Sequence, residues 1–228
     1  MFAISDLHLP GSTGKTMDVF GSAWVDHDRK IETNWRRLVT DEDLVLIPGD
    51  ISWAMRLPEA EEDLRRIGAW PGTKVMIRGN HDYWWQGIGK VRQKLHPSVH
   101  ALQNDAVFLH GWAICGTRGW KVPGGEDFTE EDEKIYRREV QRLELSLQAA
   151  GGQEPVIAML HYPPFNEKGE PSLFVELMHR YGVRICVYGH LHGPHLAEAV
   201  TGNIDGIEYH LVSCDHVDFA PLLVKEIK

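Results

Sequence analysis

The sequence predicts a layered α/β fold, with a second, partly antiparallel sheet packed on a first. Three observations predict it. Apolar runs of strand length alternate with helix-periodic segments through the first half of the chain. The last quarter, and the stretch near Trp112, are richer in strand than in helix. Five of the apolar runs end in a short polar cluster: Asp6-Leu7-His8, Gly49-Asp50, Gly79-Asn80-His81-Asp82, His161 and Gly189-His190-Leu191-His192.

Taken in order, residues 2–4 form a short strand that stops at Ser5-Asp6. Residues 10–28 are rich in Gly, Ser and Thr and read as a loop over an opening. Ile31, Trp35 and Leu38 recur at helical spacing, which predicts a helix over 29–39. Residues 44–47 are a continuous apolar strand stopped by Pro48-Gly49. A second helix spans 58–67, with Pro58 in its first turn and Glu59, Glu61, Glu62 and Asp63 near its positive end. Residues 75–77 are a strand broken by Gly79, and 87–95 carry a weak helical pattern.

Residues 106–109 and 112–115 flank His110-Gly111 and predict a hairpin or adjacent strands. A long helix over 129–149 opens on a Thr-x-x-Asp cap, buries Ile135, Val140, Leu143 and Leu147, and stops at Gly151-Gly152. Residues 156–160 lead into His161, and 184–188 into Gly189-His190, with a helix over 173–180 between them. Residues 206–213 and 222–227 are closing strands. No repeat, low-complexity tract or linker divides the chain, so residues 1–228 are expected to form a single domain.

The bulk properties exclude several function classes. A net charge of −9 argues against binding long nucleic acid, whose affinity comes from Lys and Arg at phosphates. It leaves open a small anion drawn to a local metal charge. Three cysteines without a CxxC pair suggest reduced, buried thiols rather than a disulfide framework. Neither a signal peptide nor a run of about 18 apolar residues is visible, so a cytoplasmic location without a transmembrane segment is expected.

Asp, His and Asn are suitable ligands for first-row metals. In open α/β sheets, ligands bind beyond the carboxyl ends of the strands. Asp6, Asp50, Asn80, His161 and His190 all fall there. His8 and His192 follow two residues after Asp6 and His190, where an extended chain returns to the same side. Gly49, Gly79 and Gly189 each precede a candidate, where the chain must turn sharply.

This ordered set, D-x-H, G-D, G-N-H-D, H and G-H-x-H, resembles the calcineurin-like metallophosphoesterase superfamily from residue 6 to 192. The resemblance implies a four-layer α/β/β/α sandwich of two mixed sheets flanked by helices, with two metals at the strand ends. It assigns Asp6, His8, Asp50 and His192 to the first metal. Asp50, Asn80, His161 and His190 would hold the second, with Asp50 bridging. His81 would be a catalytic histidine outside the metal shell, oriented by Asp82.

Two divalent or trivalent ions (manganese, iron, zinc or cobalt) are therefore implied; mixed N/O ligation does not choose among them. Two divalent ions, Asp6, Asp50 and a bridging hydroxide leave roughly one net positive charge for a phosphate. Such a pair, about 3.5–4 Å apart, can present a hydroxide in line with a phosphoryl group. The expected activity is hydrolysis of a phosphate mono- or diester, on a small phosphorylated substrate. A narrower alternative is cleavage of a nucleotide or lipid-linked diphosphate at its anhydride. A different class, a metal-stabilised scaffold without chemistry, would be expected to lack His81 or a ligand, and all are present.

Other residues are weaker candidates. Arg118 could clamp a phosphate oxygen, and His195 could touch substrate. Trp53, Trp84, Trp85 and Trp120, with Tyr83, Tyr162 and Phe165, either pack the loops or form an aromatic wall for a flat or lipidic substrate; Trp84 is the candidate carried forward. Arg78 is expected in a structural ion pair. His27, His96, His100, His110, His179, His210 and His216 read as surface polar groups. Residues 11–16 mimic a phosphate-binding loop, but Leu9 stands where that motif needs its first glycine.

Overall fold

The computed structural model describes residues 1–125, 127–152 and 155–227. In chain order the elements are β1 (Phe2–Ala3), α1 (His27–Leu38), β2 (Leu44–Pro48), α2 (Leu57–Gly68), β3 (Thr73–Ile77), α3 (Ile88–Arg92), β4 (Val99–Ala101), β5 (Val107–Leu109), β6 (Trp112–Thr117), α4 (Glu130–Ala149), β7 (Val156–Leu160), α5 (Leu173–Arg180), β8 (Val183–Tyr188), β9 (Gly202–Ile204), β10 (Ile207–Leu211) and β11 (Leu222–Leu223). They build two mixed sheets, ordered β11-β1-β2-β3-β4 and β5-β6-β7-β8-β10-β9. In each, the inner strands run parallel. The antiparallel pairings, of β11, β5 and β9, lie at the margins.

The side-chain alternation of each central strand explains the layers. Leu44 and Leu46 of β2 meet Ile157 and Met159 of β7 and Ile185 and Val187 of β8 in the core between the sheets. Val45 and Ile47 point the other way, into a core shared with Ile31 and Trp35 of α1 and Leu64 and Ile67 of α2. Ala158 and Leu160 likewise face Leu143 and Leu147 of α4 and Phe174 of α5. Both faces of a central strand are buried, so its sequence is continuously apolar. The result is the four-layer α/β/β/α sandwich.

Several sequence expectations change. β4 and β9 were not expected: three residues each are too few to carry a period. The last strand covers only Leu222–Leu223 of the expected 222–227. α4 has the expected cap, with the Asp132 N–H donating to Thr129 Oγ1 at 3.2 Å and the Thr129 N–H to Asp132 Oδ2 at 3.0 Å. Its expected face is buried at Leu143 and Leu147 but not throughout. Ile135 and Val140 are only partly covered, while Asp132, Glu139 and Ser146 are buried at seven-residue intervals. Each of the three has a partner: Trp120, Thr117 and the Gly116 amide respectively.

The functional loops leave the carboxyl ends of the parallel strands of both sheets. Past β1, the chain keeps pairing with the exit of β2, through Asp6 N to Gly49 O and His8 N to Asp50 O, both 3.0 Å. Ser5 also bridges to Ser213, beyond β10, so the two sheets are tied together at this end.

Candidate metal centre

All seven expected ligands converge at this end, and their placement follows from local backbone geometry. Asp6, His8, Asp50 and His190 each have positive φ, between 42° and 72°. L-residues resist that region, so the chain turns off three strands, β1, β2 and β8, at some conformational cost. Gly49 turns at φ 91°, as expected of a glycine. Gly79 and Gly189 do not have positive φ. They are needed for close approach instead: a Cβ at Gly79 would strike Asp50, and one at Gly189 would strike Ser5 and Asp6.

Two groups of side chains could each hold a cation: Asp6, His8 and His192, and Asp6, Asp50 and His161. Asp50 Oδ2 lies 3.6 Å from His8 Nε2 and 3.5 Å from His161 Nε2, between one histidine of each group. Its other oxygen accepts the His81 N–H at 2.8 Å. Asn80 Oδ1 lies 2.6 Å from His161 Nε2 and 3.0 Å from His190 Nδ1.

The tautomers show what such a cluster can hold. His161 Nδ1 faces the Pro48 carbonyl at 3.0 Å and donates to it. Burial lowers its pKa to about 4, so the ring is neutral. Its Nε2 is then a bare lone pair. That lone pair faces the Asn80 oxygen and the Asp50 oxygen. Acceptors converging on acceptors fit a cation between them. His192 is oriented in the same way, donating Nδ1–H to Asp215 at 2.7 Å with Nε2 turned to Asp6 Oδ1 at 3.2 Å. A metal-binding histidine is characteristically oriented in this way, by a carbonyl or carboxylate on its other nitrogen.

The electrostatics agree. Burial drives His8 well below its usual range and lowers His190 to about 3, so both rings are neutral, as ligation requires. Burial, then the nearby carboxylates of Asp6 and Asp82, push Asp50 well above the carboxylate range. Burial also penalises the Asp6 carboxylate, yet the charge and hydrogen bond of His192 hold its pKa below the ordinary value. His192 itself is raised to about 10, Asp6 and Asp215 outweighing its burial. Its extra proton occupies a place a cation could take.

Other expected residues lie elsewhere. Asp82 makes no hydrogen bond to the His81 ring among the described residues. Its Oδ1 accepts from the amides of Ile51 and Ser52 and from the Trp84 indole, and its Oδ2 from the Gly79 amide. It clasps the loop rather than orienting His81. Trp84 is fully buried in that clasp and so cannot face a substrate. The His81 ring is half-buried, 4.9 Å from Trp53, with its pKa lowered by burial and then by Lys15.

A cavity of about 370 Å³ is lined by His190 and His192, with Trp120, Tyr162 and Phe165 on its walls and His195 at its exposed edge. Arg118 does not line it. Three residues were missed in sequence. Asp215, which holds His192 Nδ1, follows β10 as the candidate ligands follow their strands, a signal that was available. His27, expected at the surface, is buried, with Nε2 3.1 Å from the carbonyls of both Leu7 and His8. Trp24, in the segment expected to cover the opening, packs edge-on against His192 at 5.5 Å.

A two-sheet sandwich with carboxylates, an amide and imidazoles converging at its strand ends defines a candidate metal centre. The calcineurin-like phosphoesterase family matches residues 2–194, and the chain belongs to that family. No curated protein matches it by sequence. Among solved structures it is similar to the phosphopantetheinyl hydrolase of Mycobacterium tuberculosis, with TM-score 0.59, 16% identity and coverage of 98% of this chain and 95% of that one. A Thermus thermophilus protein gives 0.56 at 13% identity, covering 84% and 81%. A protein of unknown function from Aquifex aeolicus gives 0.51 at 17%, covering 97% and 94%. These likenesses show the shared fold. The family is that of metal-dependent phosphoesterases, so the chain is read as a hydrolase.

Proposed function

We propose that this chain binds two metal ions and hydrolyses a phosphate ester of a small molecule. The observation that carries the reading is the bare Nε2 of His161, aimed at the oxygens of Asn80 and Asp50. Asp6, His8, Asp50 and His192 would hold one ion. Asp50, Asn80, His161 and His190 would hold the other, with Asp50 shared. Bound there, the ions supply polarisation of the phosphoryl group and an acidified water as nucleophile.

The chain's own groups do the rest. Pro48 O fixes the tautomer of His161, so its lone pair is aimed before an ion arrives, and Asp215 orients the His192 ring so that Nε2 points at Asp6. The His81 backbone amide fixes Asp50. The His81 ring carries no metal role and stands where it can give a proton or hydrogen bond to the leaving oxygen. Trp53 stacks on His8 at 4.6 Å and flanks His81, shielding both rings from bulk water. The aromatic cavity beside His190 and His192 suits the organic part of the ester, and its flat walls favour a planar leaving group.

A panel of aryl phosphate monoesters, diesters and nucleotides, assayed with manganese, iron, zinc or cobalt, tests this reading. Metal-dependent turnover of an ester is expected, abolished by Asp50→Asn. Absence of turnover with every metal and substrate, or full activity in Asp50→Asn, would overturn it.

A further inference from the structure

A second cavity, of about 380 Å³, opens where β3, β4 and β6 end against α4. No candidate metal ligand lines it. Its lining instead includes four guanidinium groups, of Arg78, Arg118, Arg138 and Arg142, and one carboxylate, Glu139. Glu139 is fully buried and already engaged. Its Oε2 accepts from Thr117 at 2.6 Å. Its Oε1 accepts from Arg142 at 2.8 Å and from Arg118 at 3.4 Å, with Arg138 at 3.9 Å. This one carboxylate therefore meets three of the four cations and leaves Arg78 without one.

The donors left over point to a ligand. Arg78 was expected in an ion pair, yet among the described residues it makes none. The Nε–H groups of Arg78 and Arg118 are both buried without an acceptor. Buried polar groups, charged donors above all, are ordinarily paired. The Arg118 side chain is only 15% exposed, and its guanidinium is seated over the Trp120 ring at 4.4 Å, which fixes its plane. Two unpaired donors from two different sheets need an anion that accepts on more than one side. A phosphate does this with several oxygens, and planar guanidinium forks match it.

We propose that this cavity is a second anion site, which binds a phosphate group, free or esterified to a small organic molecule, between Arg78 and Arg118. It stands independently of the metal-centre reading. The two sites share backbone: Arg78 precedes Gly79-Asn80, and the Arg118 carbonyl accepts the His161 amide at 3.0 Å.

Equilibrium dialysis of radiolabelled orthophosphate against the metal-loaded full chain, and against its Asp50→Asn variant, tests the site. Arg78→Gln removes a buried donor. Arg138→Gln removes a charge whose side chain is 56% exposed, so its fold is retained even where Arg78→Gln does not fold. A phosphate site that persists in Asp50→Asn and is weakened tenfold or more by Arg138→Gln, at an unchanged thermal midpoint, is expected. Displacement by glycerol 3-phosphate then identifies an esterified ligand, and its failure identifies free phosphate. Phosphate binding equal in the parent and Arg138→Gln would overturn the proposal.

Discussion

Asp6, His8, Asp50 and His190 sit at backbone angles that cost about 1–3 kcal/mol each. What holds them there is the hydrogen-bond frame around them: the Gly49 and Asp50 carbonyls, the His81 amide and the Asp82 clasp. The His81 ring stands outside that frame, and its role is separable. His81→Ala is expected to lower kcat by about 10²–10⁴-fold while metal content stays that of the parent. Parallel kinetics and elemental analysis check it; a variant that loses metal in proportion to activity refutes the separation. Asp63 is a second separable residue. Burial pushes its carboxyl up to about 6, and its hydrogen bond from Ser52 only partly opposes this. Unfolded, it titrates near ~3.9. Between those values the folded chain holds the extra proton, so this group's contribution to stability falls as pH rises through the window and stays reduced above it. Asp63→Asn imitates the protonated form. It should stabilise the chain by ~1–2 kcal/mol at pH ~8 and have little effect at pH ~4. Thermal melts at both values decide, and a less stable variant at the higher pH contradicts the sign.

At the scale of elements, the loop leaving β2 tolerates little change. A Cβ at Gly49 would lie 2.7 Å from the Gly79 Cα, at a φ that alanine resists. Gly49→Ala should therefore cost on the order of 2–4 kcal/mol and weaken metal retention, read by melts with and without added metal. An unchanged midpoint would contradict it. Elements with strong local signals were legible in sequence. The Thr129 cap, the apolar runs of β2, β7 and β8, and the helical stripe of α1 all stand where the pattern put them. β4 and β9 were not legible, because their pairing comes from neighbours rather than from their own residues. Nor was the buried polar face of α4. Asp132, Glu139 and Ser146 look like solvent-facing residues until β6 and Trp120, just beyond it, supply their partners.

At the scale of the whole molecule, two sheets tied at Ser5 and Ser213 deliver residues 6 to 215 to one end. The ordered motifs made the convergence of the seven candidate ligands readable, because each lay at or just past a strand exit. Orientation was not readable. Only the fold shows that Asp82 clasps a loop, that Trp84 is sealed inside it, and that Arg118 serves a different cavity from His192. For the same reason a chain of net charge −9 can still hold anions, since its charge is not spread evenly. Elemental analysis of the full chain, saturated with manganese or zinc and freed of excess ion, tests the central claim most directly. Two ions per chain, reduced in Asp50→Asn, is the predicted result; at most one ion per chain at saturation would contradict it.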